Sequence, residues 1–387
     1  LDDFAKEMAA ALGGLEALRS ADLRAKECFF IDQSRIDRVA ANMAREGLSQ
    51  ILVTAPASVF YLTGTWVSPG ERMLALLVKG DGSAVLYANR LFALSESVDF
   101  PLVEFDDTED PIAMLASAVS EGELGIDKFW PSQFTIRLMQ ARPDVRPVLG
   151  SRPVDEARML KDAEELAVMR EASRKNDETL RRTIEGLREG MTEREVAAMY
   201  NAIGKELGAP GLSFDTLICF GPNCAEPHHS SDDTVLKRGD SVICDVGLTW
   251  NRYCSDMTRT VFFGEPTDEQ RRVYEIVERA NAAGRAAVRP GVPMKEFDRA
   301  ARKVIEDAGY GKYFIHRTGH GIGLETHEPP DCSATSEVIA RPGMVFSIEP
   351  GIYLPGRFGV RVEDLVAVTE DGCETLNALT KEMRVLG

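Results

Sequence analysis

The pattern of apolar and polar positions divides the chain into a helical lead, an alternating stretch and a longer region whose motifs recur. Phe4, Met8, Leu12 and Leu15 lie three and four apart, so residues 1–30 read as an amphipathic helical extension. From Arg35 the pattern alternates. Val39 and Met43, with Gly47 at the end, predict a helix, while Ile51–Thr54, Val59–Leu62, Met73–Val78 and Ala84–Tyr87 predict strands. Helices and strands in succession predict an α/β layer with mixed strand pairing. Turn-rich segments at Asp127–Pro131 and Pro143–Pro153 precede a helical segment beginning near Asp155, which sets a domain boundary at residue 155.

Beyond the boundary the sequence repeats itself. Arg188-Glu-Gly-Met-Thr-Glu-Arg-Glu195-Val196 returns as Arg289-Pro-Gly-Val-Pro-Met-Lys-Glu296-Phe297. Each copy follows a long helix, over 162–188 and 267–288, the second opened by Thr267 and Gln270 as a capping box. Each also opens a shorter helix. Val196, Tyr200, Ile203 and Leu207 mark one, Phe297, Ala301, Val304, Ile305 and Ala308 the other, and Gly208 and Gly309 are placed to end them. The strands repeat as well, Arg238-Gly-Asp-Ser-Val-Ile-Cys-Asp245-Val-Gly247 against Pro342-Gly-Met-Val-Phe-Ser-Ile-Glu349-Pro-Gly351. Two such units packed about a pseudo-two-fold axis would bring Asp245 and Glu349 together near it.

Acids at the ends of runs as apolar as Val242-Ile243-Cys244 and Phe346-Ser347-Ile348 are costly unless paired or bound to a cation. Asp256 follows Asp245 across a connection that reads as a hairpin, Gly247 to Cys254, and strand periodicity can put both on one face. Glu363 follows Glu349 across a turn containing Gly351, Pro355, Gly356 and Gly359. Four carboxylates in a dry cavity raise one another's pKa. Two divalent cations would neutralise them, and one imidazole would complete the set. His316 to Glu328, His-Arg-Thr-Gly-His-Gly-Ile-Gly-Leu-Glu-Thr-His-Glu, holds three of the five histidines, with Gly319, Gly321 and Gly323 freeing the backbone around His320 for positive φ or close approach. An oxygen-rich site with one histidine suits Mn foremost, with Co, Zn or Fe as alternatives. Two ions about 3.5–4 Å apart can share a hydroxide and lower its pKa.

Composition narrows the partners. At 387 residues two domains are expected, and 44% hydrophobic with 28% charged residues is globular. The net charge of −17 and the lack of any basic cluster exclude nucleic acid and anionic membrane as partners. Seven cysteines without a Cys-x-x-Cys pair fit neither a disulfide framework nor a structural zinc site, and point to a reducing cytoplasm. Leu1-Asp-Asp-Phe4 has no basic or apolar leader character. The uncharged run Gly47–Gly70 is broken by polar residues and prolines, and reads as two short strands and a turn.

Asp245, Asp256, His320, Glu349 and Glu363, in this order and with Gly-His-Gly-Ile-Gly around the histidine, resemble the metallopeptidase family with the pita-bread fold. That family includes methionine aminopeptidase, aminopeptidase P, prolidase and the metal-free creatinase. The resemblance spans almost all of residues 32–387. It implies an α/β (α+β) protein: a smaller creatinase-like α/β domain over 31–155, then a pita-bread catalytic domain with a pseudo-two-fold repeat over 156–387. It further implies Asp245 on one metal, His320 and Glu349 on the other, and Asp256 and Glu363 bridging. His316, the segment Gly359-Val-Arg361-Val-Glu-Asp364 and the N-terminal domain resemble the proline-specific members.

The activity implied is hydrolysis of Xaa-Pro bonds in di- or oligopeptides by a metal-bridging hydroxide, in a cytoplasmic homodimer. Glu349 would accept the hydroxide's proton, and His327 would donate to the carbonyl or developing oxyanion. Ala225-Glu-Pro-His228 matches the segment supplying a substrate-facing histidine, so His228 would hold the substrate backbone or help the amine leave. Neighbouring His229 has no family counterpart and is expected to be exposed or packed. His316 and Arg361 would line the proline pocket and bind its carboxylate in a dipeptidase. A structural ion pair between Arg361 and a ligand carboxylate is the other reading of that residue. The alternative function is a non-peptidase enzyme on the same fold, a creatinase-like C–N hydrolase or a lyase of a small zwitterion. A binding protein that kept the fold without catalysis would be expected to have lost ligands, and none is lost.

Overall fold

The computed structural model describes residues 32–387, so the extension read over 1–30 lies outside the described residues. The chain divides into two units, one running to Ala157 and the other from Arg158 to Gly387. Among the described residues no helix is long and apolar enough to cross a membrane.

In the first unit, helix α1 (Gln33–Glu46) starts where the Asp32 side chain accepts from the Arg35 amide, and ends at Gly47 with φ 73°. A side-chain cap of this kind contributes about 1 kcal/mol. Strands β1 (Gln50–Val53), β2 (Ala75–Lys79), β3 (Ala84–Asn89), β4 (Leu102–Phe105), β5 (Gly122–Ile126) and β6 (Val145–Leu149) form one sheet in the order β4-β3-β2-β1-β5-β6. Pairing is mixed, as expected: antiparallel at β1/β2 and β2/β3, parallel at β3/β4, β1/β5 and β5/β6.

One expected strand is a helix. Val59–Leu62 falls inside α2 (Pro56–Thr63), where Pro56 occupies a first-turn position and Gly64, at φ 68°, closes the last turn. Ala57, Ser58, Val59, Tyr61 and Leu62 are all buried, so this helix has no polar face from which a 3.6-residue period could be read. Helices α3 (Pro111–Ala118) and α4 (Ser132–Ala141) bury Ile112, Leu115, Phe134 and Leu138 in a core with Leu52, Leu77 and Leu124 of the sheet.

Helix α5 (Arg152–Met159) carries the chain into the second unit, which holds the repeat. Its first half consists of α6 (Ala163–Gly186), α7 (Glu193–Glu206) and strands β7 (Gly211–Leu212), β8 (Leu217–Phe220), β9 (Asp240–Val246), β10 (Leu248–Trp250), β11 (Tyr253–Cys254) and β12 (Met257–Phe263). Its second half consists of α8 (Asp268–Ala287), α9 (Met294–Asp307) and strands β13 (Gly319–Gly321), β14 (Glu328–Cys332), β15 (Val345–Ile348), β16 (Gly351–Leu354), β17 (Phe358–Arg361), β18 (Asp364–Val368) and β19 (Cys373–Thr375), with β20 (Val385–Leu386) closing the chain. The expected capping box is present, Thr267 Oγ1 accepting from the Gln270 amide at 3.2 Å and Gln270 Oε1 from the Thr267 amide at 2.8 Å.

The two halves match in topology. β8, β9 and β12 are neighbours in one antiparallel sheet, as β13, β15 and β18 are in another. Two buried asparagines reinforce the correspondence. Asn176 on α6 donates to the Val246 carbonyl at 2.9 Å, and Asn281 on α8 donates to the Ile348 carbonyl at 2.8 Å. Each long helix thus holds the backbone beside one acid of the repeat, Asp245 or Glu349.

Candidate metal centre

The register explains how the acids meet. Met257 pairs with Val246 and Thr258 with Asp245, so Asp256, one step further, falls opposite Gly247 and on the same face as Asp245. In the second half Ile348 pairs with Asp364, so the next residues outward, Glu349 and Glu363, face one another. The Glu363 amide donates to the Thr258 carbonyl at 3.1 Å, which joins the second half's acid to the first half's strand.

His320 enters from β13, between β14 and β15. A Cβ at Gly319 would lie 1.8 Å from the Ser347 carbonyl oxygen, and one at Gly321 2.4 Å from that of Glu328. Close approach is therefore what these glycines supply, since neither takes a positive φ. His320 Nδ1 donates to the Gly321 carbonyl at 3.2 Å. Nε2 keeps its lone pair, 3.4 Å from Glu349 Oε1 and 3.7 Å from Asp256 Oδ2. Burial pushes the His320 pKa down to about 3, so the ring is the neutral donor a metal requires.

Asp256, His320 and Glu363 offer ligand atoms that all lie within 4.8 Å of one another, and all three side chains are buried. Asp256 Oδ1 is buried without a hydrogen-bond partner. Glu363 accepts from the Thr258 hydroxyl at 2.7 Å and Glu349 from the Ser347 hydroxyl at 3.1 Å, which orients both carboxylates. Burial and then mutual repulsion hold Asp256 and Glu363 well above the usual carboxylate range. Burial also lifts Glu349 to about 7, against the pull of Arg361. Two carboxylates about 4 Å apart repel by about 4 kcal/mol at an effective dielectric near 20. Four such acids against the one buried guanidinium of Arg361 are not balanced, and two divalent cations would balance them. The donor set, oxygens with one imidazole, fits such ions.

The acids open on a cavity of about 880 Å³, lined also by His228, His316, His327 and Arg361. All residues singled out from the sequence therefore share one space. Asp245 differs from the other three acids in pairing with a cation, Arg361 Nη2, at 2.6 Å. Arg361 also donates to the Tyr353 hydroxyl at 2.9 Å and to Thr258 Oγ1 at 3.1 Å. His316 joins this chain: Nε2 meets the Tyr353 hydroxyl at 2.8 Å while Nδ1 meets the Arg317 carbonyl at 2.7 Å. Burial, then the Arg361 charge, push its pKa down to about 4. Both ring nitrogens are engaged, so His316 offers the cavity a flat neutral face.

His327 faces solvent at the cavity, its ring set edge-on to His320 with centroids 4.1 Å apart. His228 is likewise exposed there, whereas His229 is packed, 2.8 Å from Glu193. Sequence reasoning missed Tyr353, Thr258, Ser347 and Glu193. The signal for Tyr353 was the glycine opposite it: Tyr353 pairs with Gly359 and Arg361 with Gly351, which leaves room for the two large side chains on one hairpin face.

Comparison with known proteins agrees with this geometry. The model of metallopeptidase family M24 matches residues 167–370, and that of the creatinase/prolidase N-terminal domain matches 35–160. An uncharacterized peptidase of Staphylococcus aureus is 36% identical over 355 residues, covering 90% of this chain and 100% of the relative. A recombinant prolidase from Thermococcus sibiricus superposes with a TM-score of 0.87 at 36% identity, over 91% of this chain and 98% of that one. An X-Pro aminopeptidase from Thermotoga maritima gives a TM-score of 0.78 at 32% identity, over 89% of this chain and 100% of that one. With its acids and histidine gathered on the two halves of an internal repeat, the chain belongs to metallopeptidase family M24 and carries the creatinase/prolidase N-terminal domain ahead of its catalytic unit.

Proposed function

We propose that the protein is a dinuclear metal-dependent Xaa-Pro peptidase, a dipeptidase or aminopeptidase acting on proline-containing di- or oligopeptides. The observation that carries this is the convergence of Asp256, His320, Glu349 and Glu363 on one buried point, with Asp245 held at its edge. Ions held by these five residues, Mn foremost and Co, Zn or Fe otherwise, would polarise the scissile carbonyl and activate water. The chain's own groups do the rest. Glu349, oriented by the Ser347 hydroxyl, accepts the proton of the attacking water at its carboxylate. His327 donates to the oxygen that gains charge. His228 holds the substrate backbone beside the leaving amine. His316, with both nitrogens engaged, packs its ring face toward the proline.

Arg361 is a buried neighbour of this site whose fork serves Asp245, Tyr353 and Thr258. We assign it to holding Asp245 rather than to the substrate carboxylate. A homodimer is supported by apolar side chains exposed on the first unit, Leu149 on edge strand β6 at 74% and Ile136 and Met139 on α4. Cytoplasmic residence is supported by the free thiols of the described cysteines.

The test compares Ala-Pro with Ala-Pro-Ala as substrates of the purified protein, alongside its metal content. Cleavage of Ala-Pro alone identifies a dipeptidase, and cleavage of the tripeptide between Ala and Pro an aminopeptidase. Cleavage of neither by the metal-loaded protein rejects the peptidase reading.

A further inference from the structure

The cavity histidines differ in how they are held. His316 is fixed through both ring nitrogens. The His228 ring makes no hydrogen bond to a described residue and is exposed, so its location depends on its backbone. That backbone lies in the segment 220–232, and a single side chain grips the segment at four points. Glu193, the first residue of α7, is fully buried, at 0% exposure. Its Oε1 accepts from the Phe220 amide at 2.7 Å and from Asn223 Nδ2 at 3.0 Å. Its Oε2 accepts from the Asp232 amide at 2.9 Å and meets His229 Nε2 at 2.8 Å.

Among the described residues no lysine or arginine pairs with Glu193. A buried carboxylate without a cation is tolerated only when donors saturate it, and these four do so. Phe220 and Asp232 bound the segment, Asn223 lies within it, and His229 is the residue next to His228. The grip therefore fixes the segment at both ends and beside its functional residue.

The second half of the repeat also has a buried acid on its shorter helix, at a position not equivalent to that of Glu193. Asp298 on α9, 1% exposed, accepts from the Thr318 amide at 3.1 Å and its hydroxyl at 2.7 Å. It also pairs at 3.0 Å with Arg302, which donates to the Phe314 and His316 carbonyls at 3.1 and 2.8 Å. In each half, a buried acid on the shorter helix holds the loop that carries a cavity histidine.

We propose that Glu193, acting through His229, is a positioning residue for His228. The proposal rests on the substrate-holding role given to His228 above. The His228 ring on a loosened loop would still reach the cavity, but over a spread of positions. A displacement of about 1 Å remote from the chemistry can cost 10²-fold in rate.

The test uses the metal-loaded enzyme with Ala-Pro, and His228→Ala, His229→Ala, His229→Gln and the double variant His228→Ala/His229→Ala. His229→Ala is expected to lower kcat/KM by roughly 10–100-fold with metal content unchanged. His229→Gln, whose amide can replace the Nε2 donor, should recover most of the loss. The double variant should be no slower than His228→Ala, because the second change acts only through the first residue. Glu193→Gln, which can lose the Asp232 amide contact as well as that of His229, should lower kcat/KM at least as much as His229→Ala, and the His229 variants decide the matter if it does not fold. Losses that multiply in the double variant overturn the positioning role alone. So does His229→Ala with unchanged kinetics and a lowered Tm. A His228→Ala variant as fast as wild type removes the role of His228 itself, and this proposal with it. Wild type that cleaves neither Ala-Pro nor Ala-Pro-Ala removes the peptidase reading beneath both.

Discussion

Arg361 Nη2 lies 2.6 Å from Asp245 Oδ2, an ion pair between opposite halves of the repeat at the point where the acids converge. Both side chains are largely withdrawn from water, and the same guanidinium also holds Tyr353 and Thr258. An ammonium could supply the charge but not the fork. Arg361→Ala leaves a buried carboxylate and a buried phenol without their donor, and removing one partner of a buried pair costs about 3–5 kcal/mol. Urea midpoints of the metal-free protein should show that loss for Arg361→Ala and a smaller one for Arg361→Lys. A midpoint unchanged by Arg361→Ala would mean that the pair does not hold the halves together.

Asp256 supplies a test whose two readouts move in opposite directions. Its carboxyl is buried among three other acids, and one of its oxygens has no partner. Asp256→Asn removes a like charge, so the metal-free protein should be as stable as wild type or more so. The stabilisation gained on adding Mn should shrink, since a ligand at 1,000 times its Kd contributes about 4 kcal/mol only when the site can bind it. Metal analysis and thermal melts with and without chelator read both effects. Full metal content and activity in Asp256→Asn would rule out its role as a bridging ligand.

Much of this site was legible because the repeat makes it so. Equivalent positions in two copies place Asp245 and Glu349 without any knowledge of the fold, and hairpin periodicity then brings in Asp256 and Glu363. Partners that reach the site through space left no such trace. Thr258 looks like an ordinary strand residue until its register opposite Asp245 is known, and Ser347 until it is seen to donate to Glu349. Glu193 reads as one of two acids in a helix's first turn, a common capping pattern, and only its burial distinguishes it. Val59–Leu62 misled for a different reason: a helix buried on every side has the same apolar run as a strand.

Glu328 predicts an acid-sensitive component of stability. Burial alone would raise its carboxyl, but Lys161, at 2.6 Å, and Arg158 outweigh that and hold it below the ordinary value of 4.5. A carboxyl depressed in the folded state binds fewer protons there than in the unfolded chain. Its contribution is therefore fully present above 4.5 and is lost as pH falls through the depressed value. Glu328→Gln should lower stability at neutral pH, by taking the carboxylate from buried Lys161 and one of the carboxylates from buried Arg158, which also meets Glu325 at 2.8 Å, and should flatten the fall of the urea midpoint below pH 4.5. Parallel profiles for wild type and variant would show that the pair does not govern acid lability.

His327 separates catalysis from metal retention. Its ring stands against the His320 ring, so its removal could act either on the carbonyl oxygen or on the ligand beside it. The two actions differ in what they disturb. His320 is already fixed by its bond to the Gly321 carbonyl and by glycine contacts that leave its strand no room to shift. Burial keeps the His327 pKa below the ordinary value, so near neutral pH the ring is uncharged with one N–H to donate. Loss of a single donor to a developing oxyanion costs roughly 10²–10³ in kcat. His327→Ala should show that loss with both metals retained and KM little changed, and His327→Gln, which keeps an N–H, should recover part of it. Loss of metal from His327→Ala would instead make the residue a support for His320, and the oxyanion would need another donor from the cavity wall.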